Sequence, residues 1–190
     1  FSIILNSNNI EGKSFQGWQV PIYTNNSFIN AMITDIEVKN IMSSLKNNKV
    51  PVVSGFQGIN NENRVTTLGR GGSDTTAVAL AAKLNAKRCD IYTDVDGVYT
   101  GDPRIIPNAK KMDSINFEEM LELSSLGAKV LHTRSVQLAL QYGVKLQVLS
   151  SFTGKKGTML VKETKSFENQ IIRGIAHSNN EALVTLVEVK

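Results

Sequence analysis

Residues 64–86 read RVTTLGRGGSDTTAVALAAKLNA, two halves of opposite character. Gly69, Gly71 and Gly72 surround Arg70, a density of glycine that suits no regular element. From Ser73 and Asp74 onward, the alanine-rich run predicts a helix over 74–86. A glycine-rich approach lets backbone N–H groups crowd a ligand, and the unpaired N–H groups and dipole of the following helix favour negative charge there. Arg70 adds a planar fork suited to a carboxylate or phosphate. Ser73 is either the helix cap or a hydroxyl donor to that ligand. Asp74 is the odd member, because a carboxylate beside an anion repels it unless it orders a cation or an amine. A glycine turn with a Ser/Asp cap also occurs in α/β proteins without any ligand, so the stretch needs its surroundings.

Upstream, KVPVVSGFQG (49–58) is a short apolar run ending in small residues, as in a strand buried on both faces. NNENRV (60–65) is a polar turn. Further back, 15–23 is β-rich, 26–34 crosses back near it, and 35–48 has helical spacing with Asp35 as a cap. Downstream, CDIYT in 88–104 predicts another buried strand, closed by a tight turn at Asp96-Gly97. Helices are expected at 117–125 and 127–142, separated by Gly127, then strands at 144–151 and 157–161. Strands alternating with helices predict a three-layer α/β/α sandwich on a mainly parallel sheet. The tail, 171–190, reads as two β-type runs about SNNE, the start of a second small domain.

The 190 residues are 41% apolar and 20% charged, an ordinary globular composition. Twenty-one basic and seventeen acidic residues leave a net charge of only +4, with Lys and Arg scattered, so a nucleic-acid partner is not expected. Apolar runs fall short of the roughly 18 residues of a membrane span, which predicts a soluble protein with no membrane partner. The single cysteine, Cys89, cannot form an internal disulfide, suits a reducing cytoplasm, and is expected to be a small buried residue. FSIIL opens without an initiator Met, as though already inside an element, and predicts a piece of a longer chain.

Two familiar phosphate motifs fail. Gly12-Lys13-Ser14 resembles the end of a P-loop, but the earlier glycine would fall at Ser7. Gly69-Arg70-Gly71 begins like a dinucleotide fingerprint whose last glycine would fall at Asp74. A second cluster, TDVDGVYTGDPR (93–104), is more promising, because Thr93 and Asp94 follow a buried strand at the edge where open α/β sheets bind ligands. Tyr99 offers a flat face and a hydroxyl for a base or ribose, and Arg104 a charge for phosphates. Turn formation and packing would explain the same residues equally well.

In this order and spacing, GRGGSDTTAVALAAKLNA, IYTDVDGVYTGDPRIIPNAKKM and FEEMLELSSLGAKVLHTRSV resemble the aspartate kinases of the amino-acid kinase family, over about residues 15–161. The resemblance implies the amino-acid kinase fold over 1–163, and over 164–190 a linker and the first strands of an incomplete ACT-like α+β regulatory domain. It implies MgATP-dependent phosphorylation of the side-chain carboxylate of L-aspartate, with ATP and Mg2+ required. Arg70, Gly71, Gly72 and Ser73 would hold aspartate, Arg70 through a carboxylate, and Asp74 would organise the catalytic lysine or the substrate ammonium. Thr93, Asp94, Tyr99, Arg104, Lys129 and Val130 would line the ATP site. The ACT region would support a homo-oligomer. The family's amino-terminal Lys-Phe-Gly-Gly-Thr segment, which grips the transferred phosphate, does not occur in these residues, which are therefore expected to be inactive alone. Thr133 stands where the family usually has proline, and His132 is expected to pack. Another amino-acid kinase, acting for instance on glutamate or acetylglutamate, and a non-catalytic amino-acid-binding or regulatory subunit remain as alternatives.

Overall fold

A computed structural model describes residues 1–128, 130–162 and 172–177. It is a mixed α/β structure in which parallel pairings lead. Helix α1 (Ser2–Ser7) buries no residue and leads into β1 (Gly12–Phe15), which pairs in parallel with β4 (Val50–Val53). A four-stranded sheet follows the order β3-β2-β5-β6, from β2 (Ile22–Thr24), β3 (Ile33–Ile36), β5 (Gln57–Ile59) and β6 (Val65–Thr67). The second four-stranded sheet has the order β7-β9-β10-β8, from β7 (Cys89–Thr93), β8 (Ser114–Asn116), β9 (Leu146–Ser150) and β10 (Thr158–Val161). The pairs β2–β5, β7–β9 and β8–β10 are parallel, whereas β2–β3, β5–β6 and β9–β10 are antiparallel.

Two apolar clusters hold these layers. Phe15, Val20, Ile22, Ile36, Ile41 and Ala79 form the smaller one. The larger joins Ile91, Ile115, Leu146, Val148 and Leu160 of the β7-β9-β10-β8 sheet to Met120 of α4 (Phe117–Ser125) and Val136 and Ala139 of α5 (Thr133–Tyr142). Helix α3 (Gly72–Lys83) belongs to both: Val78 and Ala81 enter the larger cluster and Ala79 the smaller. The helix that follows the glycine stretch is thus wedged between the two halves of the core, which fixes its amino-terminal end. Its small side chains permit that close approach on opposite faces.

Several expectations need correction. Asp35 caps no helix; it lies in β3, and α2 (Lys39–Lys46) starts later with Val38 as its cap. Antiparallel pairing of Ile33–Ile36 with β2 satisfies more backbone than one extra helical turn, and Asp35 binds Lys83 of α3 at 2.6 Å instead. The run 49–58 is two strands: the chain turns at Ser54–Phe56, where Phe56 has φ 70°, and passes from β4 into β5 of another sheet. Val50–Val53 are half-buried at best and not buried on both faces, and among the described residues β4 pairs only with β1. The β-rich stretch 15–23 holds the end of β1, a turn and the start of β2. The second carboxyl-terminal helix begins at Thr133 instead of 127, since Gly127 at φ 115° and the turn after it interrupt the helical register. Strand β8 was not foreseen, because three residues carry too short a pattern. The expected ACT-like strands lie outside the described residues except 172–177, which form no strand; there Ile175 N–H donates to Thr100 O at 2.9 Å, and Arg173 pairs with Glu119 at 3.0 Å.

Candidate active site

Three short elements set the glycine stretch in place. Strand β6 ends at Thr67, and Leu68 N–H donates to Phe56 O at 3.0 Å, so the stretch departs from a fixed point. Gly69 packs so closely on the segment before β3 that a methyl group there would overlap Asn30. Gly71 has φ 72° and ψ 14°, left-handed backbone that costs an L-residue about 1–2 kcal/mol, and it caps α3. The cap is therefore Gly71 and not Ser73, which sits exposed in the first turn.

Helix α3 thus offers the free N–H groups that the sequence predicts. Gly72 N–H is taken by Gly69 O and Thr75 N–H by Gly71 O, but the N–H groups of Ser73 and Asp74 have no acceptor among the described residues. Arg70 stands exposed at the same end and makes no hydrogen bond or ion pair with any described residue. An unpaired guanidinium and two unpaired N–H groups together fit an anion with at least one carboxylate-like face.

Asp74 faces this end from a half-buried position. Burial pushes its carboxyl above the ordinary carboxylate value, while the Ser73 hydroxyl, 3.5 Å away, and the nearby His132 with its backbone N–H pull the other way. A carboxylate only partly stabilised by its surroundings has unmet demand for a cationic partner, which suits a substrate ammonium or a lysine. His132 closes the site from below: a methyl group on Gly71 would overlap its Cβ and Cγ. It also stands as the cap residue of α5, with a buried Nδ1 that has no hydrogen-bond partner among the described residues.

The second cluster sits at the carboxyl end of β7. Thr93 Oγ1 donates to Asp94 Oδ1 at 3.0 Å, and Ser151 N–H to Thr93 O at 2.8 Å, tying the ends of β7 and β9 together. Tyr99 donates its hydroxyl proton to Asp96 Oδ1 at 2.9 Å, and Lys111 lies 3.6 Å from Asp96 Oδ2. The Tyr99 bond, then Lys111, hold Asp96 below the usual carboxylate range. Arg104 is not a waiting cation: its guanidinium grips Asp102 with Nε at 3.0 Å and Nη2 at 2.7 Å, pushing the Asp102 carboxyl down to about 2. Its positive charge still lies close enough to interact with Asp94. The Val130 side chain packs against the larger core, which leaves its backbone as the part able to meet a ligand. Lys129 lies outside the described residues.

Among the described residues no hydrogen bond or ion pair joins the two clusters; α3, packed on β7 and α5, is what relates them. Sequence reasoning missed Asp96 and Lys111, although Asp96 stands inside the quoted TDVDGVY. It also missed Arg134, whose guanidinium holds main-chain carbonyls beside the glycine stretch and carries no motif of its own. A depression of about 340 Å3 lined by Lys13, Phe15, Trp18 and their neighbours contains none of the candidate residues.

Comparison with known proteins agrees with this arrangement. Residues 1–150 match the amino acid kinase family. An aspartokinase of Rickettsia felis is 50% identical over 180 residues, covering 94% of this chain and 45% of the relative, and an aspartate kinase of Pseudomonas putida is 52% identical over 174 residues, covering 91% and 42%. The chain spans less than half the length of these relatives. Aspartokinase III of E. coli, solved in complex with aspartate and ADP, superposes with a TM-score of 0.78 at 37% identity over 86% of this chain and 38% of that one. With a family match over residues 1–150, a range that holds the glycine stretch, α3 and the end of β7, the chain belongs to the amino acid kinase family.

Proposed function

We propose that the protein carrying this chain is an aspartate kinase, transferring the γ-phosphoryl group of MgATP to the side-chain carboxylate of L-aspartate to give 4-phospho-L-aspartate, the first step toward lysine, threonine and methionine. The observation that carries this is the unpartnered Arg70 beside two unpaired N–H groups at the start of α3, with half-buried Asp74 next to them. A small dicarboxylate with an ammonium group matches that set: a carboxylate for Arg70 and the N–H groups, with Ser73 Oγ as a further donor, and a cation for Asp74. The likeness to a structure binding aspartate and ADP supports it.

Chemically, an oxygen of the aspartate side-chain carboxylate attacks the γ-phosphorus, the bond from that phosphorus to the β–γ bridging oxygen breaks, and ADP leaves with the electron pair. Such a transfer needs position and neutralised charge more than covalent help. Arg70 fixes one end of the acceptor, while Asp74 orients its ammonium or a lysine that faces the phosphate. Gly71 and Gly72 let the backbone approach without side chains intervening. Thr93 and Asp94 at the end of β7, with Tyr99 and the backbone at Val130, take the nucleotide, together with Lys129. Arg104 offers a phosphate its Nη1, which holds no described residue, while Nε and Nη2 keep Asp102, or exchanges one anion for the other at an exposed site. Mg2+ enters as part of the MgATP substrate.

Residues 1–163 then form the carboxyl-terminal part of the kinase domain, 164–190 begin a regulatory ACT-like module that supports a homo-oligomer, and the protein works in the cytoplasm. No helix among the described residues is long and apolar enough to cross a membrane. The test is hydroxylamine trapping with the full-length protein and MgATP. Aspartate should yield aspartyl hydroxamate, and glutamate and N-acetylglutamate little; equal yields would leave the family assignment and remove the substrate.

A further inference from the structure

Arg134 lies in the first turn of α5, where a positive charge is disfavoured by the helix dipole. Its side chain is partly buried, and desolvation works against its charge. Among the described residues no carboxylate pairs with it. Its partners are two main-chain carbonyls from distant parts of the chain: Nη1 donates to Leu68 O at 2.9 Å and Nη2 to Ala31 O at 2.7 Å. Leu68 is the last residue before Gly69-Arg70. Ala31 ends the segment that faces it, and the two strips already run together, with Ala31 N–H on Thr67 O at 2.9 Å and Thr67 N–H on Phe28 O at 3.0 Å.

We propose that Arg134 is a positioning residue that clamps both walls of the acceptor site, fixing the glycine stretch through the Leu68 carbonyl and the facing segment through the Ala31 carbonyl. The geometry requires a fork: two nitrogens of one plane reach two oxygens at once, which a lysine ammonium on its flexible stem does not reproduce. Left-handed glycine backbone has little stiffness of its own, so the direction in which Arg70 points depends on where its root is held. Arg134 touches no substrate and acts through Arg70. The inference rests on the aspartate kinase reading for its kinetic consequence, but not for the clamp itself.

The test uses the full-length protein with Arg134→Met, which keeps the apolar stem, and Arg134→Lys, measured by steady-state kinetics and by hydrogen exchange of the amides of residues 68–72. Arg134→Met should raise the aspartate KM about 10- to 100-fold and leave the ATP KM within about twofold. Exchange at Leu68 and Gly72, both hydrogen-bonded to backbone, should quicken at least about tenfold while strand amides of β7 and β9 stay protected. Arg134→Lys should fall between, and if the methionine variant does not fold, it carries the test. Unchanged exchange at 68–72 overturns the clamp, as does an aspartate KM and an ATP KM that rise together. A wild-type protein that phosphorylates no aspartate removes the substrate reading alone, and the exchange experiment then decides the clamp.

Discussion

Replacing Gly71 by alanine should damage the protein through both its backbone and its packing, and two further glycines allow the causes to be separated. Gly154→Ala meets no atom within 4 Å, and its φ lies outside the left-handed range, so its effect should stay within about 0.5 kcal/mol. Gly143, which closes α5, has φ 67°, but among the described residues a methyl group there approaches only the Lys162 Nζ at 3.9 Å; Gly143→Ala therefore reports left-handed backbone alone, about 1–2 kcal/mol. Gly71 combines the same backbone, φ 72°, with overlap onto the Cβ and Cγ of His132 and a 2.7 Å approach to its Cδ2. Overpacking of that kind typically adds about 1–3 kcal/mol, so Gly71→Ala should cost about 2–5 kcal/mol unless the start of α3 shifts. A shift displaces Arg70 and the Ser73 and Asp74 N–H groups, so stability regained in that way should appear as a higher aspartate KM. Urea denaturation followed by circular dichroism, compared at constant m-value, gives the three stabilities. If Gly71→Ala matched Gly143→Ala in stability and wild type in aspartate KM, the close packing of His132 under the loop would be refuted.

Arg70→Lys keeps the charge and loses the fork, and should raise the aspartate KM about 10- to 100-fold with the ATP KM little changed; a defect confined to ATP would place Arg70 on the nucleotide. Asp74→Asn should lower kcat about 100- to 1000-fold yet stabilise the fold at neutral pH. A folded-state pKa above the unfolded one means that Asp74 favours folding only while protonated, and this contribution is lost as pH rises through the folded value. The stability gain over wild type should thus be present at pH 7 and vanish below the unfolded value; a gain that persists in acid would contradict burial as its cause. Cys89 is buried in the larger core, its thiol pushed up to about 11 by burial and then by Asp90 and Asp74, so iodoacetamide at pH 8 should modify it only after unfolding. Rapid labelling of native protein would show that β7 opens.

What could be read from the sequence, and what could not, follows from the length and locality of each signal. Helix α4 has the bounds expected for FEEMLELSS, and the structure shows its start fixed by a capping box between Asn116 and Glu119, a signal contained within four residues that sequence reasoning did not use. Strand β7 was legible because CDIYT is β-rich and bounded by polar turns. The short strands β1 to β6 were mostly misdivided, since three or four residues show neither period, and which sheet each joins is decided by partners far along the chain. The proposed anion site of the glycine stretch was legible because Arg70 and the unpaired amides of Ser73 and Asp74 are set by local sequence. Arg104 and Tyr99 take partners two and three residues away, Asp102 and Asp96, but which nearby carboxylate each takes is set by the turns between them and not by a pattern; the carbonyls beneath Arg134 come from residues 103 and 66 positions away and leave no local signal at all. Gly71, not Ser73, caps α3 because His132, contributed by another helix, leaves no room there for a side chain.

The central claim is that the side-chain carboxylate of aspartate itself attacks the γ-phosphorus. With the full-length protein, aspartate labelled with 18O in that carboxylate is incubated with unlabelled MgATP, and the acyl phosphate is cleaved with hydroxylamine, which attacks the carbonyl carbon and releases phosphate with its bridging oxygen. Phosphorus NMR should then show inorganic phosphate carrying one 18O atom from aspartate, formed in step with ADP. Unlabelled phosphate formed in step with ADP would mean that water, and not aspartate, accepts the phosphoryl group, and the account would be wrong.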